Sequence, residues 1–303
     1  MGQTPRVRLA LIANPRSGTA PDPGDLEALL GADGADVSYV PIEQIADKAG
    51  GDLEDGALAA LREAGAPDRI VVAGGDGSIG PAALCAAQLD VPLAVIAVGT
   101  ANDFARAKEL PIDDLEASCA LARDPGAGTQ HAELGMAGER PFVNAAAAGL
   151  SVAAARAAKP HKSRLGPLAY AVGAVKAGVT AKPLRCAVAC DGEIRYEGPA
   201  WQVVVGVTGA FGGGSAIGVT SARDAKLDLA VVPAGSRASL VRRAFGMRTG
   251  RLTEQDDVAH ERAARIDVEL AGHPTFNVDG ETCRCEPAHF TLREGGFDVV
   301  RAP

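Results

Sequence analysis

Residues 69–78 read RIVVAGGDGS, a run typical of a buried strand that passes directly into a loop of glycine, aspartate and serine. Residues 81–89 follow the loop and predict a helix. A glycine loop between a buried strand and a helix turns backbone N–H groups and the positive end of the helix dipole toward a bound phosphate. The alternative is a simple glycine turn in which Asp76 caps the helix.

Runs of the same kind surround this loop and predict alternating strands and helices. The predicted strands cover residues 6–13, 36–41, 69–73 and 93–97, and the helices between them cover residues 25–30, 52–64 and 81–89. This alternation predicts a parallel sheet, whose ligand-binding loops lie beyond the carboxyl ends of its strands. Three loops follow such strands and are expected to converge on one crevice: NPRSG at 14–18, GGDGS at 74–78 and GTANDFA at 99–105.

The aspartate inside the glycine loop bears on the chemistry. Gly75, Gly77 and Gly80 also fit the G-x-G-x-x-G pattern of dinucleotide-binding loops, but the next strand ends in AVGT at 97–100, without the acidic residue that binds a ribose. Asp76 would repel a bare pyrophosphate, whereas Mg²⁺ between carboxylate and phosphate turns that repulsion into attraction. The loop therefore favours phosphoryl transfer over hydride transfer.

The pattern changes after about residue 126. Short β-type runs separated by turn residues predict a second, mostly antiparallel domain, with a cleft between it and the first. These runs cover residues 186–190, 201–207, 227–232, 266–270 and 289–293. We therefore divide the chain into residues 1–126 and 127–293, with residues 294–303 expected to pack back on the first domain.

Composition and charge exclude several classes of function. The 303 residues carry a formal net charge of −8 and only 4% aromatics, which argues against nucleic-acid binding. The six cysteines form no C-x-x-C pair and the histidines no H-E-x-x-H, so we expect buried apolar cysteines in a reducing compartment rather than a zinc site. The chain starts without a signal-peptide pattern, and we expect a cytoplasmic protein.

Taken together, the three loops resemble a known family. NPxSG, GGDGS and GTxNDFAR, in this order and spacing, are similar to the catalytic domain of diacylglycerol kinases, sphingosine kinases and bacterial lipid kinases. The resemblance continues through GGG at 212–214, DAKLD at 224–228 and DGE at 279–281. Three departures are Ser78 where threonine is commoner, Val98 in place of leucine and Ala225 in place of glycine.

The resemblance implies a three-layer α/β nucleotide-binding domain joined to a β-sandwich domain that binds the acceptor, with the active site in the cleft between them. It also implies ATP and Mg²⁺ as cofactors. The residues expected at the nucleotide are Asn14, Pro15, Arg16, Ser17, Gly18, Gly74, Gly75, Asp76, Gly77, Ser78, Thr100 and Asn102. Taken alone, Asn102 and Asp103 would also suit the start of a helix.

The resemblance assigns further roles to acidic residues. Asp76 and Asp103 would work with the phosphates and Mg²⁺, Asp279 would take the proton from the acceptor hydroxyl, and Glu281 would lie near the metal. Asp224 and the Leu227 carbonyl match a structural Mg²⁺ position, which Ala225 puts in question. The family also has a lysine near the phosphates, for which Lys162 is the candidate.

A second DGE, at residues 191–193, lies between two β-type runs. Because its flanks predict a β-hairpin, we interpret it as a turn and assign the catalytic role to the C-terminal copy, which alone matches the family's position.

The resemblance is compatible with more than one acceptor and more than one partner. The preferred acceptor is a lipid alcohol such as diacylglycerol. A soluble acceptor, as in NAD kinases, and a catalytically silent nucleotide-binding regulator are the alternatives. Residues 236–251 predict a basic amphipathic helix, which would either contact anionic lipid at the inner face of the membrane or pack on the second domain. A homodimer is left open.

Overall fold

The computed structural model describes residues 6–18, 20–46, 61–62, 65–158, 173, 176–207, 225–236, 258–272, 275–286 and 288–303. The chain divides into two compact units. Unit 1 contains Met1–Leu134 and Glu294–Pro303, and unit 2 contains Gly135–Arg293. Each unit is described by itself below.

The elements are numbered in chain order. The strands are β1 Arg8–Ala13, β2 Asp36–Pro41, β3 Arg69–Gly74, β4 Leu93–Ala97, β5 Gly128–Ala132, β6 Gly135–Ala137, β7 Arg140–Phe142, β8 Ala145–Gly149, β9 Leu184–Cys190, β10 Glu193–Gly206, β11 Leu227–Pro233, β12 Ala259–Ala263, β13 Arg265–Leu270, β14 Thr275–Val278, β15 Glu281–Arg284, β16 His289–Leu292 and β17 Phe297–Arg301. The helices are α1 Pro23–Leu30, α2 Glu43–Ala46, α3 Asp76–Leu89, α4 Asp103–Ala107, α5 Leu115–Arg123 and α6 Leu150–Ala158.

Unit 1 is built on a six-stranded sheet in the order β2-β1-β3-β4-β17-β5. Neighbouring strands are parallel except for β5, which pairs antiparallel with β17. All six residues of β3 are buried, as expected for a parallel strand covered on both faces. Helices α1 and α5 pack on one face through Leu26, Leu30 and Cys119. The predicted parallel α/β domain is confirmed.

Two boundaries in unit 1 differ from the sequence prediction. The unit extends to Leu134 rather than ending near residue 126, because β5 pairs with β17 from the C-terminus and so joins the first sheet. Helix α3 begins at Asp76 rather than at Pro81. The chain enters the helix directly from the extended backbone of Gly75, so residues of the glycine loop themselves form the first helical turn.

Unit 2 is an eleven-stranded sheet system whose strands, within the described residues, pair antiparallel. The longest path runs β15-β14-β8-β10-β9-β13-β16-β6-β7, and β11 pairs with β10 and β12. Its main core holds Phe142, Phe276 and Phe290, with Phe290 in edge contact with the other two rings. The predicted antiparallel second domain is confirmed. In the parts of both units that the structure describes, no helix combines the length and hydropathy needed to cross a bilayer.

Candidate active site

The first two loops of unit 1 are bonded to each other. The Gly75 N–H donates to Ser17 Oγ at 3.2 Å, and Asn14 Nδ2 donates to Ser78 Oγ at 3.4 Å. The Asn14 N–H also donates to the carbonyl of Ala73 at 3.0 Å. These three contacts hold the loop after β1 against the loop after β3, as parallel neighbours ending at one edge predict.

The third loop is bonded to the second. The Val98 N–H donates to the Gly74 carbonyl at 3.1 Å, and the Phe104 N–H donates to Asp76 Oδ1 at 3.0 Å. The latter contact joins the start of α4 to the start of α3. Stacking of the Phe104 and Phe297 rings, with centroids 6.0 Å apart, fixes α4 against β17.

Glycine is required where the loops approach each other. A Cβ on Gly99 would overlap Gly75 Cα and lie 2.7 Å from Asn102 Oδ1, and a Cβ on Gly75 would lie 3.2 Å from Gly99 Cα. Gly18, at φ +46°, would direct a Cβ into the Val98 carbonyl. The three loops therefore touch through bare backbone, and a side chain at any of these glycines would force them apart.

The polar groups of this cluster suit a phosphate and its cation. Asn102 adopts φ +53°, and its Nδ2 donates to the carbonyls of Ala97 and Gly99 at 3.3 and 3.2 Å. Its Oδ1 is buried and has no hydrogen-bond partner among the described residues. Asp103 is 5% exposed next to it, and Asp76 is partly buried. Carboxylate and amide oxygens are the donors that Mg²⁺ prefers.

The remaining residues predicted at the nucleotide lie on the same loops. Ser78 is 5% exposed in the first turn of α3. Arg16 and Thr100 are exposed, and Arg16 lies 3.8 Å from Glu43. The structure thus brings the predicted nucleotide residues together in unit 1. Their roles stay predictions.

In unit 2, Asp279 occupies the turn between β14 and β15, at φ +46°. Its carboxylate accepts three backbone N–H bonds: Oδ2 from Val143 at 2.7 Å, and Oδ1 from Asn144 and Ala145 at 3.0 Å each. The Asp279 N–H donates to the Ala145 carbonyl in return, at 3.0 Å. This side chain is therefore oriented by the strand beside it. Its predicted role as general base stays a prediction.

Glu281 has a partner that the sequence did not indicate. Its Oε2 accepts from Arg140 Nη2 at 2.6 Å, with side-chain exposures of 57% for Glu281 and 31% for Arg140.

Two residues further along β15, Cys283 Sγ lies 3.5 Å from Cys285 Sγ. This hydrogen-bonded contact lowers the pKa of the Cys283 thiol to about 7 and raises the pKa of the Cys285 thiol. The C-x-C spacing of these two residues is the sequence signal for this contact.

The structure also shows a buried carboxylate that the sequence analysis missed. Asp228 is 2% exposed on β11, and its Oδ1 contacts Arg262 Nε at 3.1 Å and His260 Nε2 at 3.4 Å. Leu227, predicted to offer its carbonyl to a structural metal, begins this strand with a buried side chain. The sequence signal for Asp228 is a charged residue at an inward-facing position of the apolar run LDLAVV.

Several predictions lie outside the described residues: Asp224, the GGG of 212–214, Lys162, and all of 236–251 except Ser236. Within the described ranges, no three His, Cys, Asp or Glu side chains come together as a metal site.

Comparison with known proteins also divides the chain into two parts. The family model described as "Diacylglycerol kinase catalytic domain" matches residues 8–134, and that described as "YegS C-terminal NAD kinase beta sandwich-like domain" matches residues 144–301. A diacylglycerol kinase of Staphylococcus aureus (strain bovine RF122 / ET3-1) is 30% identical over 305 residues, covering 97% of this chain and 92% of the relative. One from Bacillus subtilis (strain 168) is 29% identical over 236 residues, covering 77% and 76%.

Solved structures share the fold. A diacylglycerol kinase from Bacillus anthracis str. Sterne superimposes with a TM-score of 0.72 at 23% identity, covering 99% of both chains. An NAD kinase from Archaeoglobus fulgidus, in complex with ATP, gives a TM-score of 0.51 at 14% identity, covering 98% of this chain and 93% of that one. With both domain models matched in order and a 30% identical relative aligned over nearly the whole length, the resemblance seen in the loops is confirmed, and this kinase belongs to the diacylglycerol kinase family.

Proposed function

We propose that this kinase transfers the γ-phosphoryl group of ATP to the hydroxyl of a lipid alcohol, with diacylglycerol as the first candidate. The observation that supports it best is the bonded cluster of three loops at the start of α3. Phosphoryl transfer depends mainly on positioning and on neutralising the charge of the phosphates. A cluster fixed by its own hydrogen bonds before ATP binds is suited to that task.

Each loop would contribute to holding the nucleotide. The first turn of α3 presents backbone N–H groups and the positive end of its dipole to the phosphates. Ser17 and Thr100 add hydroxyl groups, and the contacts of Gly75 with Gly99 and Ser17 keep the loop backbones in register. Gly75 and Gly99 let the loop backbones approach closely enough to form one compact cluster.

The residues present fit a magnesium ion that arrives with the nucleotide. Mg²⁺ in such sites is held by one or two carboxylates together with substrate phosphates rather than by a complete protein cage. Asp76 and Asp103 are the carboxylates of the loop cluster, and the buried Asn102 Oδ1 is an additional oxygen donor. When bound, the ion would neutralise phosphate charge. The metal role predicted for Glu281 stays a prediction, and its carboxylate pairs with Arg140.

We assign proton removal from the acceptor hydroxyl to Asp279. A carboxylate that accepts the proton as the hydroxyl attacks contributes roughly 10²–10⁴-fold to such reactions. The three backbone amides that bind Asp279 would hold it in one orientation. The side chain would then be positioned before substrate binds.

A soluble acceptor is the second candidate, because the fold is shared with NAD kinases. Both candidates are tested by incubating the purified chain with ATP labelled in the γ position, Mg²⁺ and a panel of diacylglycerol, monoacylglycerol, a sphingoid base and NAD. We expect label in the lipid products and none in NADP. Label in NADP alone would favour the soluble acceptor, and label in no product would support a silent nucleotide-binding role.

Nucleotide binding to the loop cluster is tested by Gly75→Asp. The added carboxylate would lie among the loop backbones and repel phosphate, so we expect calorimetry to show no ATP binding. The matched control is Gly178→Asp, which adds the same side chain where no atom lies within 4 Å of its Cβ. Both variants should retain a cooperative thermal transition. Unchanged ATP affinity in Gly75→Asp would place the nucleotide elsewhere.

Membrane contact is proposed from sequence alone. The basic segment 236–251, of which only Ser236 is described, would bring the enzyme transiently to anionic lipid.

A further inference from the structure

Cys283 and Cys285 form an unusual pair within this chain. Their sulfur atoms are 3.5 Å apart, close to contact distance, and Cys283 is partly exposed while Cys285 is 5% exposed. The other four cysteines are all buried: Cys85, Cys119, Cys186 and Cys190. The pair therefore combines a neighbouring thiol with access from solvent.

The backbone position of the pair favours a bond between the two sulfurs. The residues are two apart, so their side chains lie on the same side of the chain. Both contact the main core of unit 2, and Cys285 lies just beyond Arg284, where β15 ends. A disulfide requires the sulfurs to approach to about 2.0 Å, a shift of about 1.5 Å from their present separation. Closing this gap requires a movement of the end of β15, where the chain leaves its ladder with β14.

We propose that Cys283 and Cys285 are a reversible thiol–disulfide site, oxidised by hydrogen peroxide, whose closure lowers the turnover of the kinase. The reaction is balanced in two steps. The Cys283 sulfur attacks one peroxide oxygen, the O–O bond breaks, and Cys283 becomes a sulfenic acid while one water leaves. The Cys285 thiol then displaces the sulfenic hydroxyl as a second water, and the S–S bond forms. Both sulfurs are oxidised and the peroxide is reduced to two waters.

The link to turnover runs through β15 and rests on the proposed function. Cys283 pairs across the hairpin with Phe276, a fully buried ring, so contraction toward Cys285 must move β15 rather than β14. Glu281 begins β15 and is ion-paired with Arg140, and the strand follows the turn that holds Asp279. A displacement of about 1 Å at a catalytic group can cost about 10²-fold in rate. We expect oxidation to reduce kcat by roughly ten- to hundredfold and a dithiol reductant to restore it.

The bond itself is tested without any activity assay. The full chain is reduced, desalted, treated with hydrogen peroxide and digested with trypsin. Arg284 separates the two cysteines, so trypsin cuts between them and only a disulfide keeps the two peptides joined. We expect the joined peptides and an intact mass lower by about 2 Da, the two hydrogens lost. Cys283→Ser and Cys285→Ser should lose both signals, whereas Cys119→Ala, which removes a thiol elsewhere, should keep them.

The outcomes are distinguishable. Absence of joined peptides in the wild-type chain, or oxidation of Cys283 to higher acids without them, overturns the proposal. If the peptides are joined but kcat is unchanged, the claim that the disulfide lowers turnover is overturned. A reduced wild-type chain that phosphorylates no acceptor at all indicates that the proposed function fails, and leaves the disulfide to be judged on the peptide signal alone.

Discussion

Residues 191–193 and 279–281 both read Asp-Gly-Glu, and in both the aspartate and glycine form the two-residue turn of a β-hairpin. Asp191 and Gly192 connect β9 to β10 with φ angles of +50° and +87°, and Asp279 and Gly280 connect β14 to β15 with φ angles of +46° and +88°. Positive φ at both central residues is the type I′ geometry. In each turn the aspartate N–H donates to a carbonyl of the adjacent strand, Arg265 in one case and Ala145 in the other.

The side chains of the two turns have different surroundings. The Asp191 carboxylate is exposed and accepts a bond from the Arg265 N–H at 2.9 Å, whereas the Asp279 carboxylate accepts three backbone bonds. Glu193 pairs with its near neighbour Arg195, and Glu281 pairs with Arg140 from a distant part of the chain.

Hairpin geometry therefore does not distinguish a structural turn from a candidate catalytic one. The hairpin turn predicted at 191–193 is confirmed, but 279–281 lies at a hairpin turn as well. What separates the two is the neighbouring segment from Val143 to Ala145, which presents consecutive N–H groups to Asp279. The two turns therefore differ through contacts between residues that lie far apart in sequence.

The largest expected difference between the turns is in turnover. Asp279→Asn keeps the size of the side chain but cannot accept the acceptor's proton, so steady-state kcat should fall by roughly 10²–10⁴-fold. Asp191→Asn should leave kcat within about twofold, as expected for a surface position away from the chemistry. ATP affinity, measured by calorimetry, should be unchanged in both. If Asp191→Asn lost activity and Asp279→Asn retained it, the general base would be assigned to Asp191 instead of Asp279.

The next difference is in stability. An asparagine at 279 would turn an N–H₂ group toward backbone donors and leave at least one buried N–H without an acceptor, which costs about 1–3 kcal/mol. An asparagine at 191 can still accept from Arg265 through its amide oxygen, so the free energy of unfolding should change by less than about 0.5 kcal/mol. Urea unfolding of the two variants measures this. Equal destabilisation would mean that the three amides at Asp279 contribute little.

The glycines should show no difference. Gly192 and Gly280 have nearly equal φ angles, and no atom lies within 4 Å of a Cβ built on either. Alanine at each position should therefore cost only backbone strain, about 1–2 kcal/mol, and the two unfolding free energies should fall by the same amount. A much larger loss of unfolding free energy in Gly280→Ala than in Gly192→Ala would show that the backbones of the two turns differ.

The elements that the sequence predicted are those with strong local signals. Strands β1, β3 and β4 are apolar runs next to glycine loops, and the convergence of those loops followed from parallel pairing alone. Strand β8, with the sequence AAAAG, was missed because alanine has no strand preference and its burial comes from β10 and β14 on either side. Strand β5 lies in unit 1 rather than in the predicted second domain because it pairs with β17, which lies far along the chain.

The candidate site was predictable to a similar extent. The placement of Asp76, Ser78 and Asn102 on converging loops could be predicted from motif and position, but not that Asp76 accepts from the Phe104 N–H. The Arg140–Glu281 pair and the Cys283–Cys285 contact join residues that no local pattern connects to catalysis. Side-chain partners across strands depend on register, which the sequence leaves open until the strands are placed.

The central claim is that Asp279, unlike Asp191, takes part in the transfer step itself. Single-turnover quench-flow measures that step directly, with excess enzyme saturated with acceptor and mixed with γ-labelled ATP and Mg²⁺, and with the folded fraction of each variant set equal. For Asp279→Asn we predict a transfer rate constant lower by roughly 10²–10⁴-fold with wild-type ATP affinity, and for Asp191→Asn a wild-type rate constant. A wild-type transfer rate in Asp279→Asn would contradict the account.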